Sequence, residues 1–458
     1  MTGEPAIADG PADGLPARRA GLRRLAGRAG WNLTDQLLSA VTNVVLTFVV
    51  ARTVNDEDRF GAFSTALLIF YLLIGVERAL VGQVMGIRHS DVPADRMRGV
   101  AADGLGTIAT LGVAAGALVA LAGWIIGGLV GPPLIAVGVV MPGLLLQDTC
   151  RMIFFAQAMP KLAAANDAVW AVVQFSVIGL LIATGQANPW SLVLAWGGAA
   201  LVCVGLALLQ LRVLPRPRAG AAWCREHRDL VGYLLPETLL TSGGLQATTL
   251  VTGKIVGVRG VGSFGGAQRL LGPLGMVGAA VMTFAMPEIS RRKSLSARTR
   301  WRFAVALSVL MTVVSLMYVA ALLLLPDSVG QTLFKASWHG VRSVLLPMGL
   351  FSTVAGACLG PALVIIAMGR ARQTFWLTVL EAPLVLTLMP VGALLDGAPG
   401  AAWGQFVAQA IQLPFWFWQL HRVLRMPAPT APGSGSADGD VATAGRSAKG
   451  RVRGPGLA

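Results

Sequence analysis

WNLTDQLLSAVTNVVLTFVVA, residues 31–51, is long enough to cross a bilayer: about 20 residues rising 1.5 Å each span the ~30 Å hydrocarbon layer. It is not uniformly apolar. Asn32, Asp35, Gln36, Ser39, Thr42, Asn43 and Thr47 recur every three or four residues and fall along one side of a helix. Leu33, Leu37, Val41, Val44 and Phe48 take the other side. Two explanations fit such a stripe. Small hydroxyls and amides bond packed transmembrane helices to one another, or they line a water-filled path. The ionisable Asp35, with Gln36 beside it, points to the path, because charge in lipid is costly.

Working outward, the 458-residue chain is 55% hydrophobic and 13% charged, with mean hydropathy +0.67. Soluble domains carry about 25% charged residues, so a polytopic membrane protein is expected. Further apolar runs lie near 60–84, 100–130, 133–155, 162–184, 190–211, 231–253, 261–287, 303–325, 341–368, 374–395 and 399–420, which makes twelve spans. With twelve spans and the N-terminus inside, 29 of the 37 Lys and Arg fall in cytosolic segments and six in outer loops, while Arg78 and Arg269 lie within spans. That asymmetry fixes the expected orientation in the cytoplasmic membrane with both termini cytosolic. It also assigns the net charge of +15 to lipid headgroups rather than nucleic acid. No cleavable signal is evident, and the first helix is expected to target the chain itself. Cys150, Cys203, Cys224 and Cys358 are scattered, so neither a disulfide framework nor a metal site is expected.

The second half of the chain repeats the first. LPETLLTSGGLQATTLVTGK again marks one helical side with Thr238, Thr241, Ser242, Gln246, Thr249 and Thr252, and Glu237 stands near its cytosolic end as Asp35 does. VVARTVNDEDRFGAFSTA is echoed by LVTGKIVGVRGVGSFGGAQ: Arg52 and Lys254 end one helix, and Phe60-Gly61 and Phe264-Gly265 open the next. Six spans per half bring both halves in with the same orientation, related by an axis along the membrane normal, as in transporters that rock one half against the other. The expected layout is a basic tail 1–30, a six-helix bundle 31–214, a linker 215–230, a second bundle 231–425 and a tail 426–458. Both tails have disordered composition.

Several polar residues inside spans carry candidate chemistry. Arg269 lies about nine residues into the eighth run, too deep to snorkel, so its guanidinium is expected to face the interior and meet an anion bidentately. An ion pair with Glu381 or Glu237 is the competing expectation. Glu381, deep in the eleventh run, is a candidate proton or cation site. Asp148 and Arg151, three apart, are expected to pair, whereas adjacent Glu77 and Arg78 point about 100° apart and are not. His89, His227, His339 and His421 read as solvated surface histidines. No phosphate-binding loop, hydrolase elbow or nucleotide-binding domain is expected, so a built-in ATPase is not.

AQRLLGPLGMVGAAVMTFAMPEISRR resembles the eighth-helix pattern of the multidrug/oligosaccharidyl-lipid/polysaccharide flippase superfamily, and VVARTVNDEDRFGAFSTALLIF resembles its first-to-second-helix junction. The resemblance covers residues 31–425 and implies an all-α membrane fold of two six-helix bundles and a transporter rather than an enzyme. Twelve spans resemble the polysaccharide-exporter branch; the lipid II branch has fourteen and places a basic residue with an acid in its first helix, which has no Arg here. The resemblance then implies export of a polyprenyl-diphosphate-linked oligosaccharide by alternating access, with no cofactor beyond possible H+ or Na+ coupling. Arg269, aided by Arg78, meets the diphosphate in this reading. Asn32, Gln36, Asn43 and Gln246 bond sugar hydroxyls, and Asp35, Glu381 and Glu237 couple ions. Implied partners are membrane lipids and a glycan polymerase or glycosyltransferases. A cation-coupled extruder of drugs or metabolites, whose branch also uses a first-helix aspartate, is the alternative. A scaffold or glycan polymerase is a further one, although the longest outer segment, about 326–340, is short for a polymerase.

Overall fold

A computed structural model describes residues 41–90, 92–291, 295–368 and 370–426. Asn32, Asp35 and Gln36 and the tails expected at 1–30 and beyond residue 426 lie outside the described residues. Every regular element among those described is helical: α1 (Val41–Val54), α2 (Glu57–Glu77, extended through a π-turn Arg78–Gly82 and Gln83–Arg88), α3 (Ala94–Ile126), α4 (Gly131–Ala156), α5 (Pro160–Ala183) and α6 (Pro189–Leu211). A short helix α7 (Gly220–Glu226) lies in the linker. The second set comprises α8 (Arg228–Thr238, leading through a π-turn), α9 (Gly244–Arg291), α10 (Ala297–Leu323), α11 (Asp327–Phe334), α12 (Trp338–Ala367) and α13 (Ala371–Leu424).

Two of these helices are each a pair of spans. α9 breaks at Gly257 (φ 72°, ψ 178°), a backbone conformation that L side chains strain to adopt. α13 breaks at Asp396 and Gly397. Divided there, the described helices follow the apolar runs of the sequence; counted undivided, eight helices among the described residues are long and apolar enough to cross a membrane. Local sequence sets many of the starts. Asp56 caps α2 by accepting from the Arg59 amide at 2.8 Å. Asn188 and Ser191 form a reciprocal capping box ahead of Pro189.

The molecule is a multi-pass membrane protein with the two-bundle architecture expected. Trp196, Phe60, Phe63, Phe154 and Phe334 are fully buried, while Leu118, Trp124, Leu209, Leu324 and Leu394 stand exposed, as apolar side chains that face lipid do. His89 and Ser90 after α2 and the loops at 157–159 and 212–227 share one end, called here the basic face.

The bundles meet along α2 and the second segment of α9, residues 258–291. At the end away from the basic face this seam is tight. A Cβ on Gly61 would sit 2.0 Å from the Val258 carbonyl oxygen, and one on Gly262 2.9 Å from the Gly61 Cα, so backbone lies against backbone. Arg259 adds a bidentate pair to Asp58 at 2.8 and 2.9 Å. Phe334 of α11 packs edge-on against Phe48 and Phe60, with ring centroids 5.1 and 6.2 Å away. Nearer the basic face the same seam parts.

Candidate functional site

Where the seam parts there is a cavity of about 450 Å³. Tyr71, Ile74, Gly75, Arg78 and Gln83 of α2 line one wall; Glu237 and Thr238 of α8 and Gln246 of α9 line the other. Three residues singled out in the sequence, Arg78, Glu237 and Gln246, therefore come together. Arg78 lies at the start of the π-turn, a departure from regular helix that turns side chains out of register and recurs at functional sites.

The buried carboxylate of Asp148 holds Arg78 in place. Its Nε and Nη2 donate to the two oxygens of Asp148 at 2.7 and 2.9 Å, and its Nη1 has no protein partner among the described residues. Arg151 stands 3.6 Å from the same carboxylate. The pairing expected three residues along the helix is present, but the planar bidentate fit to Arg78, 70 residues away, is the closer one. Glu77 is fully buried and accepts from the Thr149 hydroxyl at 2.7 Å. Removing Asp148 takes the shared carboxylate from both arginines, of which Arg151 is buried. Asp148→Ala is expected to cost about 3–5 kcal/mol, read as loss of thermal stability in detergent, while the less disruptive Arg151→Met costs less.

Arg269 sits further along the seam, toward its closed end. Its guanidinium lies 4.7 Å from the Tyr71 ring centroid, over the ring face, and Nη2 donates to the Tyr71 hydroxyl. No carboxylate among the described residues pairs with it, so neither Glu381 nor Glu237 takes the partner role expected for one of them. A small cavity beside it is lined by Thr47, Ser64, Tyr71, Gln268 and Arg269. Tyr71 lines both cavities. It is seven residues from Arg78 on the same helix, about 10 Å along the axis. Two arginines thus flank one tyrosine on the interface between the bundles.

The rest of the expected set is dispersed. Asn43, with Thr42, turns into the first bundle and lines a small pocket with Asp167, Trp170, Gln174 and Trp196. There Asp167 accepts from Gln147 at 2.9 Å, and the Gln174 amide is buried with neither polar atom bonded. Glu381 lies in the second bundle beside Cys358 and lines neither Arg cavity. Sequence reading misses Tyr71, Asp167 and Gln174. Tyr71 is one of three tyrosines in the chain and stands in an otherwise apolar run, where its hydroxyl needs a partner. Asp167 lies inside the fifth run, where an acid signals a polar interior.

No family model matches the sequence, and no curated protein matches it. Solved structures do. An inward closed conformation of the lipid II flippase MurJ superposes with TM-score 0.67 at 11% identity, covering 85% of this chain and 89% of that one. An inward-facing multidrug resistance MATE family transporter of the MOP superfamily gives 0.64 at 13%, over 86% and 98%. The MATE multidrug transporter DinF-BH gives 0.59 at 15%, over 91% and 98%. At such identities the likeness concerns the fold: the chain has the fold of the MATE transporters and of the lipid II flippase.

Proposed function

We propose that this protein is a flippase that moves a polyprenyl-diphosphate-linked oligosaccharide from the cytosolic to the outer leaflet by alternating access. The basic face is then cytosolic, a placement that the Lys and Arg distribution supports, and the described state is closed on the outer side. The observation that carries the reading is Arg269: a guanidinium at the bundle interface, held over the Tyr71 ring and bonded to its hydroxyl, with no acid to neutralise it among the described residues. A diphosphate supplies the missing charge, and Arg78 with its outlying Nη1 receives it at the cytosolic mouth. Gln83, Gln246 and Thr238 offer amides and a hydroxyl to the attached sugars. No bond in the substrate changes.

One observation favours a second reading, a cation-coupled extruder of drugs or metabolites. The Asp167 pocket is small, lies next to the first helix and counts Thr42, Asn43 and Gln174 in its lining, and a buried carboxylate there suits a proton or Na+. The two readings combine if that pocket drives lipid export. They separate in a deletion strain. The flippase reading expects lipid-linked oligosaccharide to accumulate on the inner leaflet with unchanged susceptibility to toxic cations. Heightened susceptibility without accumulation supports the extruder and overturns the flippase.

A further inference from the structure

The linker between the bundles is strapped to the first one. The Arg216 amide donates to the Ala102 carbonyl at 2.9 Å, the Thr110 hydroxyl donates to the Pro217 carbonyl at 3.1 Å, and α7 tucks Trp223 against α3 and α2. Trp223 is 3% exposed. Its indole Nε1–H donates to the Leu80 carbonyl at 3.0 Å. Leu80 belongs to the π-turn Arg78–Gly82, so the linker grips the very backbone that aims Arg78.

Two histidines, both expected from sequence to be solvated, secure that grip. His89 is 9% exposed and His227 1%, and their Nε2 atoms are 2.9 Å apart. His227 Nδ1 lies 3.0 Å from the Trp223 carbonyl oxygen. A carbonyl only accepts, so Nδ1 carries the proton and the neutral ring presents a bare Nε2. His89 must therefore donate its Nε2–H across the gap. One further proton can be taken on His89 Nδ1 without breaking this bridge. The next has only His227 Nε2 to go to, and it leaves two N–H donors facing each other.

We propose that Trp223 is a positioning residue for the anion-binding arginine Arg78, and that the His89–His227 bridge is a proton-released latch holding it in place. The role in anion binding rests on the function proposed above; the latch itself does not.

The surroundings favour the neutral pair. Burial pushes His89 below the ordinary histidine range, with the neighbouring His227 and Arg88 acting in the same direction and Glu226 opposing them. Arg88 is engaged with Asp229 at the start of α8, which draws part of its charge outward. The sign follows. The latched state binds fewer protons than the released one, so the latch is firm above the ordinary histidine value of about 6.5 and weakens as pH falls below it.

The test uses the full chain in nanodiscs. Cys224 is exposed beside Trp223, and the other cysteines are buried, so one spin label goes there and a second on Trp124→Cys at the far end of α3. The expected result is a single distance at pH 8 and a second population at pH 5. His227→Gln, whose side-chain oxygen accepts from His89 at any pH, keeps the single distance at both. Hydrogen exchange at residues 78–83, compared at pH 8, is expected to rise about tenfold in Trp223→Phe, which keeps the ring but loses the donor. Farnesyl diphosphate binding is expected to weaken about tenfold more between pH 8 and 5 in the wild type than in His227→Gln, a difference that removes the probe's own titration. A distance that ignores pH in the wild type, or that shifts equally in His227→Gln, overturns the latch. Unchanged exchange in Trp223→Phe overturns the positioning role. Absence of farnesyl diphosphate binding at every pH, with the distance and exchange changes intact, refutes the flippase reading and leaves the latch standing.

Discussion

Arg269→Ala is expected to abolish export of the lipid-linked oligosaccharide while protein level and thermal stability stay near wild type. The residue is half-buried, and its described contacts are the Tyr71 ring and hydroxyl, so little structural energy depends on it. Its contribution falls on the substrate. A charge-assisted hydrogen bond contributes about 1.5–3 kcal/mol, and a bidentate contact to a diphosphate has two of them, so the rate falls by roughly a hundredfold or more. Arg269→Lys keeps the charge without the fork or the stacking and recovers part of the activity. Tyr71→Phe retains the ring but frees the guanidinium to swing, and a loss of about tenfold is expected. The check is the leaflet distribution of lipid-linked repeat units in cells expressing each variant at matched levels. Export at the wild-type rate in Arg269→Ala would remove the anion-binding argument.

The second large effect is conformational. Gly61→Val places a side chain where the Val258 carbonyl oxygen already stands, 2.0 Å from the first carbon added. Because the opposing atoms are backbone, no rotamer change accommodates it, and the bundles must separate at the end away from the basic face. The variant is expected to insert and fold, since each bundle is packed within itself, yet to be trapped open on that side. Transport is lost, and a cysteine placed at Ser64, buried in the seam, becomes reactive toward an impermeant thiol reagent from outside. The ion pair of Arg259 with Asp58 nearby is solvent-exposed and contributes far less, so Arg259→Gln is expected to retain most activity. Normal transport by Gly61→Val would show that this end need not close.

Much of this architecture is legible in the sequence because membranes constrain it severely. Apolar run length marks each span, and the Phe-Gly pairs 204 residues apart identify the helices that line the seam: Gly61 meets Gly262, and Gly265 meets Ser64. What stays hidden depends on which neighbour a helix face meets. The polar stripe of the first helix is wide enough to serve two surfaces, and its described part divides between them, Asn43 entering the Asp167 pocket while Thr47 lines the Arg269 cavity. Asp148 shows the same limit. Its local partner Arg151 is visible from spacing, but the better-fitting Arg78 comes from another helix. Charge alone suggests an acid as the partner of Arg269, whereas the structure supplies an aromatic ring with a hydroxyl, 198 residues away. The buried histidines escape a sequence reading for a related reason: linker composition says nothing of the groove at the end of α2 and α3 into which the linker folds.

Purified protein in sealed proteoliposomes, given a fluorescent polyprenyl-diphosphate oligosaccharide in one leaflet and a cationic dye in parallel, tests the central claim most directly. The account predicts that the wild type equilibrates the lipid between leaflets, that Arg269→Ala does not, and that the dye is not moved by either. Transport of the dye with the lipid left in its original leaflet would contradict it.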